Sequence, residues 1–159
     1  MKNKLVYKIY LPLFLFFFLS HHSSFAQNSG DCNSQLWDHV WTSSRLQVID
    51  KCKTVSGVIE EKNADSDGDE HMLLKLDAGQ EDLLKKKNYS KKNGSLVIEV
   101  ICVNKVTRKS AKGYCKGYSN SIALPKVGDH VQVTGSYVLD SHNGWTEIHP
   151  ISRLVVLSK

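Results

Sequence analysis

Two short stretches hold the residues with the greatest capacity for chemistry. The first is NADSDGDEHMLL, residues 63–74, where Asp65, Asp67 and Asp69 alternate around Gly68 and are followed by His71. The second is HNGWTEIH, residues 142–149, where Trp145, Glu147 and His149 occupy every other position after His142. Carboxylates and imidazoles together suit Zn²⁺ or another divalent ion, and carboxylates with carbonyl oxygens suit Ca²⁺. Asn63, Asp65, Asp67 and Gly68 match positions 1, 3, 5 and 6 of an EF-hand calcium loop. Position 12 is Leu74 where the bidentate glutamate belongs, so an EF-hand is excluded and a looser oxygen-rich site stays open. The simpler alternative is an Asp-Gly turn between two strands with solvated acids. The expected metal ligands are Asp67, Asp69 and His71, and the expected ligand-binding set is Asp67, Asp69, His71, His142, Trp145, Glu147 and His149. No catalytic residue is assigned: there is no G-x-S-x-G nucleophile motif and no phosphate-cradling glycine loop.

These residues must be held by strands. A first strand is expected around Cys52 to Glu61, with Val55 and Ile59 on one face and Gly57 marking a bulge or bend. A second runs from His71 to Leu76, turning Met72, Leu74 and Leu76 inward and His71, Leu73 and Lys75 outward. Residues 77–95 form a long lysine-rich connection with two sequons, at Asn88 and Asn93. LVIEVIC, residues 96–102, is a third strand with Val97, Glu99 and Ile101 outward. Residues 107–116 predict a short helix with Lys109, Lys112 and Lys116 on one side. The fourth strand follows Gly128-Asp129, with Val131, Val133, Tyr137 and Leu139 inward. Asn143-Gly144 then turns the chain into a fifth strand that Pro150 ends or confines to an edge. Ahead of all this, Leu36, Trp37, Val40 and Trp41 lie at helical spacing in a polar lead that caps one end.

The expected fold is therefore all-β: a five-stranded, OB-fold-like Greek-key barrel with a short helix between strands three and four. Its loops after strand one and between strands four and five flank one binding face, which would bring the two opening stretches together.

Residues 1–26 have the form of a signal peptide. Lys2, Lys4 and Lys8 precede an apolar core, and Ser24-Phe25-Ala26 offers a cleavage site. Export would leave a lead over 27–45 and an OB-fold domain over 46–159, in a secreted or periplasmic protein with no membrane attachment, expected as a monomer. The chain carries a formal charge of +5, three units of which belong to the lysines of that leader. The near-neutral remainder argues against nucleic acid as a bulk electrostatic partner. The charge is uneven: residues 60–70 carry six acids against Lys62, and residues 85–116 carry ten bases against Glu99.

Four cysteines in an exported chain imply two disulfides. Three pairings are possible. Cys32–Cys52 and Cys102–Cys115 are favoured because each joins a strand to a nearby loop, and closing a loop of roughly 14 residues stabilises by about 3 kcal/mol.

The segments CKTVSGVIEE, DGDEH, LVIEVIC and VGDHVQVTGSYVLDSHNGWTEIHP together resemble small secreted bacterial single-domain OB-fold proteins of uncharacterised function, over residues 45–153. The chain is broadly similar to periplasmic OB-fold stress proteins, which implies small-ligand or oligomer binding. Asp67-Gly68-Asp69 also resembles the DGDT segment of the staphylococcal-nuclease barrel, which implies a calcium-ligand role for Asp69. Glu70 replaces the threonine, however, and Arg45, Arg108 and Arg153 do not fall in that family's pattern. The leading expectation is a non-catalytic binding module for a small, carbohydrate or anionic ligand. A divalent-metal phosphodiesterase or nuclease is one alternative, and a nucleic-acid-binding protein stacking bases on Trp145, Tyr114 and Tyr118 is another.

Overall fold

A computed structural model of the chain describes residues 32–158. The proposed leader lies outside the described residues. Five strands form one mixed sheet: β1 (Leu46–Ala64), β2 (Glu70–Leu76), β3 (Leu96–Val100), β4 (His130–Asp140) and β5 (Thr146–Ser158). Their order is β1-β2-β3-β5-β4, and β1 pairs with both β2 and β4, which closes the sheet into a barrel. All pairings are antiparallel except β3 with β5, where Val97 and Ile98 lie against Glu147 and Ile148. Among the described residues no helix is long and apolar enough to cross a membrane.

Alternation sets the core. Val55, Ile59, Met72, Leu74, Leu96, Ile98, Val131, Val133, Tyr137, Ile148 and Ile151 fill the barrel interior, with Leu76 packed partly buried against them. Leu139, expected inward like Tyr137, is only half-buried, one residue before the end of β4. Val138, on the opposite face of β4, is buried in a second apolar cluster with Leu36, Val40, Leu46 and Ile101. Leu36 belongs to a 3-10 turn over Ser34–His39, so the lead covers the outer face of the sheet. That cover explains why Ile101, expected to face outward, is fully buried; Val97 and Leu73 are buried as well. A continuous apolar run such as LVIEVIC is the pattern of a strand enclosed on both faces.

The helix is not where the sequence places it. The only α-helix among the described residues is α1 (Lys86–Lys91), between β2 and β3. Residues 107–116 form just a 3-10 turn over Lys109–Ala111. Their backbone is committed elsewhere: Thr107 and Arg108 N–H both donate to the Ser66 carbonyl, at 2.9 and 2.8 Å. The Cys102–Cys115 disulfide closes the same segment, and the second disulfide is Cys32–Cys52. Pro150 does not end β5 either. The strand runs through it with a cis His149–Pro150 peptide, and the register shift around Gly135 takes up the missing donor. A Cβ on Gly135 would sit 2.4 Å from the Pro150 carbonyl oxygen, so only glycine permits this approach.

A candidate binding cavity above a buried acid–histidine cluster

The DGDEH stretch is first of all a turn. β1 and β2 pair as far as Ala64 and Glu70, leaving residues 65–69 as the connection. Within it, Asp65 N–H donates to the Asp69 carbonyl at 2.9 Å and Gly68 N–H to the Asp65 carbonyl at 3.1 Å. Gly68 has φ of 103°, and a Cβ there would meet Val106 at 2.7 Å, so glycine is required twice over. The turn sends Asp65 to solvent and Asp69 inward, where its Oδ1 accepts the Cys102 N–H at 2.8 Å.

The HNGWTEIH stretch forms the second wall. Asp140 ends β4 and organises the turn: its Oδ1 accepts N–H from His142 and Asn143 at 2.8 and 3.0 Å, and its Oδ2 accepts the Asn143 amide at 2.7 Å. Asp140 is fully buried and ion-paired to Arg45. Burial alone would raise its pKa, but the bonds from Asn143 and the Arg45 charge hold it below the usual aspartate value.

Between these walls opens a cavity of about 850 Å³. Asp67, His71, His142 and Trp145 line it, as do Trp41, Arg45, Glu99, Lys92 and Arg108. Each indole has a cation beside it: Lys92 Nζ lies 4.1 Å from the Trp145 ring centroid, and the Arg108 guanidinium 4.7 Å from that of Trp41. Lys92 Nζ also donates to His71 Nε2 at 3.1 Å. Burial first, and then the Lys92 charge, push the His71 pKa down and keep the imidazole an acceptor.

The other expected ligand-binding residues, Asp69, Glu147 and His149, lie beneath the cavity, all with 3% exposure or less. They are one connected group. Trp145 Nε1 donates to Glu147 Oε2 at 2.9 Å, and His149 Nδ1 lies 3.2 Å from Glu147 Oε1 and 3.0 Å from Glu99 Oε2. On the other side of the ring, His149 Nε2 lies 3.9 Å from Asp69 Oδ2. The three expected metal ligands do not converge as a set: the structure groups Asp69 with Glu99 and His149, while His71 faces Lys92.

Crowding like charges in a dry site shifts protonation strongly. Burial, offset in part by His149, raises Asp69 to about 6. Burial raises Glu99 further, with Glu147 and Asp69 adding to the effect. For His149 burial opposes charge, but the carboxylates of Glu99, Glu147 and Asp69 outweigh it and raise the imidazole to about 9.

Sequence reasoning left Trp41, Lys92 and Arg108 out of the site, and Glu99 and Arg45 as well. Glu99 did carry a signal, as a lone acid inside an apolar strand run, where burial demands a partner. Arg45 had none, since its partner Asp140 lies 95 residues away in sequence. Tyr118, expected as a stacking platform, is instead stacked on His39 with ring centroids 3.9 Å apart. In comparisons with known proteins, no family model and no curated protein matches this chain.

Proposed function

We propose that the chain is an exported, OB-fold binding module that holds a small acidic carbohydrate between its two functional turns. Strand order supports the OB reading: a five-stranded closed sheet in which β1 pairs with both neighbours is that barrel's plan, although α1 here follows β2 instead of β3. Two disulfides suit an oxidising compartment.

The observation that carries the reading is the pairing of indole and cation, twice, in one cavity. A pyranose ring presents C–H groups that pack on an indole, and its hydroxyls need the polar groups that rim the pocket. An acidic sugar adds a carboxylate, which Lys92 or Arg108 is placed to receive. The volume of about 850 Å³ falls within the range of about 300–1,000 Å³ typical of small-ligand sites.

Intrinsic tryptophan fluorescence of the mature chain, titrated with uronic-acid oligosaccharides and with their neutral counterparts, tests this. Acidic oligomers should change the emission saturably, and Trp145→Ala and Lys92→Gln should each weaken binding by about tenfold, roughly 1.4 kcal/mol. Equal affinity in the parent and in Trp145→Ala, or no saturable response to any acidic sugar, would sink the proposal.

A further inference from the structure

We infer that Asp69, Glu99 and His149 form a site for one divalent transition-metal ion of the Zn²⁺ type, set beneath the cavity. Three adjacent strands supply it. Asp69 immediately precedes β2, Glu99 sits in β3 opposite His71, and the parallel β3–β5 register, Ile98 against Ile148, carries Glu99 alongside His149. One donor atom from each of the three residues lies within 4.8 Å of the others.

Three observations point to an ion. First, His149 Nε2 is buried with no hydrogen-bond partner among the described residues, although a buried polar atom left unpaired costs about 1–3 kcal/mol. At 3.9 Å, Asp69 Oδ2 is too far to be that partner. Two ligands of a tetrahedral zinc, each about 2.0–2.1 Å from the metal, stand about 3.3 Å apart, so closing the gap by about 0.6 Å places both on one ion.

Second, the opposite nitrogen is fixed. Nδ1 is hydrogen-bonded with Glu147, which is itself held by the Trp145 indole N–H; Glu99 Oε2 lies 3.0 Å from the same nitrogen and would have to turn towards Nε2 to join the ion. A carboxylate behind a ligating histidine sets the tautomer and aims the free lone pair, the usual support of a metal-bound imidazole. Glu147 is thus a positioning residue. Third, three buried carboxyl groups, those of Asp69, Glu99 and Glu147, surround one imidazole, a donor set that suits a dication. Imidazole among the donors favours Zn²⁺ and its first-row neighbours over Ca²⁺ and Mg²⁺, and Glu99, which also lines the cavity, marks the route of entry.

The site does not depend on a sugar being the cavity's ligand, and its test uses no sugar. The mature, disulfide-bonded chain, purified without a histidine tag and stripped with EDTA, is titrated with Co²⁺ and Zn²⁺. One equivalent of Co²⁺ should give d–d absorption that Zn²⁺ abolishes, and Glu99→Gln and His149→Gln should each weaken metal binding by about tenfold or more. His130→Ala, at the half-buried Asp77 pair, should bind as the parent does. Circular dichroism reports whether each variant folds. If neither site variant folds, ¹⁵N shifts of the parent decide: zinc must move the His149 Nε2 resonance. No d–d band, unchanged affinity in folded Glu99→Gln, or an unmoved His149 resonance in zinc-saturated parent overturns the inference.

Discussion

Asp140 shows how one buried carboxylate sets the position of a whole wall. Its four contacts, to His142, Asn143 (two) and Arg45, tie the end of β4, the turn before Trp145, and Arg45 into one unit. Replacing it with alanine leaves Arg45 unpaired and two turn N–H groups without acceptors, so Asp140→Ala should lose about 3 kcal/mol in urea unfolding. The pH dependence follows from its depressed pKa. A carboxylate lowered on folding contributes stability that is fully present above the unfolded-chain value, about 3.9, and is lost as pH falls through the folded one. The stability difference between the parent and Asp140→Asn should therefore be constant from about pH 5 upward and shrink below about pH 4. A gap that instead widened in acid would contradict the assignment.

At the scale of elements, the short helix α1 matters for what it anchors. Asn88 on it is fully buried although it forms a sequon. Its Oδ1 accepts N–H from Lys85 and Thr146, and its Nδ2 donates to the carbonyls of Ser95 and Thr146, at 2.9–3.1 Å. One amide thus clamps the start of α1, the start of β3 and the start of β5, and it fixes the segment that carries Lys91 and Lys92 over the cavity. Asn88→Ala strands several buried backbone groups at once and should destabilise by about 2–4 kcal/mol in thermal or urea unfolding. Trp145 emission should shift too, because Lys92 would no longer be held over the ring. The second sequon, at Asn93, lies exposed just past the helix. A polar stretch rich in lysine concealed this element, because buried asparagine and solvated asparagine look alike until their partners are known.

For the molecule as a whole, the two disulfides divide the stabilising work by place. Cys32–Cys52 holds the N-terminal lead against β1, while Cys102–Cys115 closes the segment whose backbone binds the 65–69 turn. Each should contribute about 2–4 kcal/mol to unfolding. Their functional consequences should differ. Cys102→Ser with Cys115→Ser loosens the Cys102 N–H that Asp69 accepts, and should weaken cavity and metal binding. Cys32→Ser with Cys52→Ser should lower the unfolding midpoint while ligand affinity stays near that of the parent. Urea melts alongside fluorescence titration separate the two cases, and equal loss of binding in both pairs would refute the division.

Much was settled by local pattern. Period-two alternation in β2 and β4, the Asp-Gly and Asn-Gly turns, an even cysteine count and the one-face spacing of Trp145, Glu147 and His149 are consequences of backbone geometry that any reader of the chain can extract. What the tertiary structure alone decided is which groups are dry. Asp69, Glu147 and His149 look like outward polar residues because alternation tells sides apart but not whether a side is wet. The lead, Ile101 and the 107–116 segment cover that side through contacts made tens of residues away, and burial, once imposed, shifts the protonation of Asp69, Glu99 and His149. Desolvation is a property of the assembled molecule, and it is the quantity on which the chemistry of this site depends.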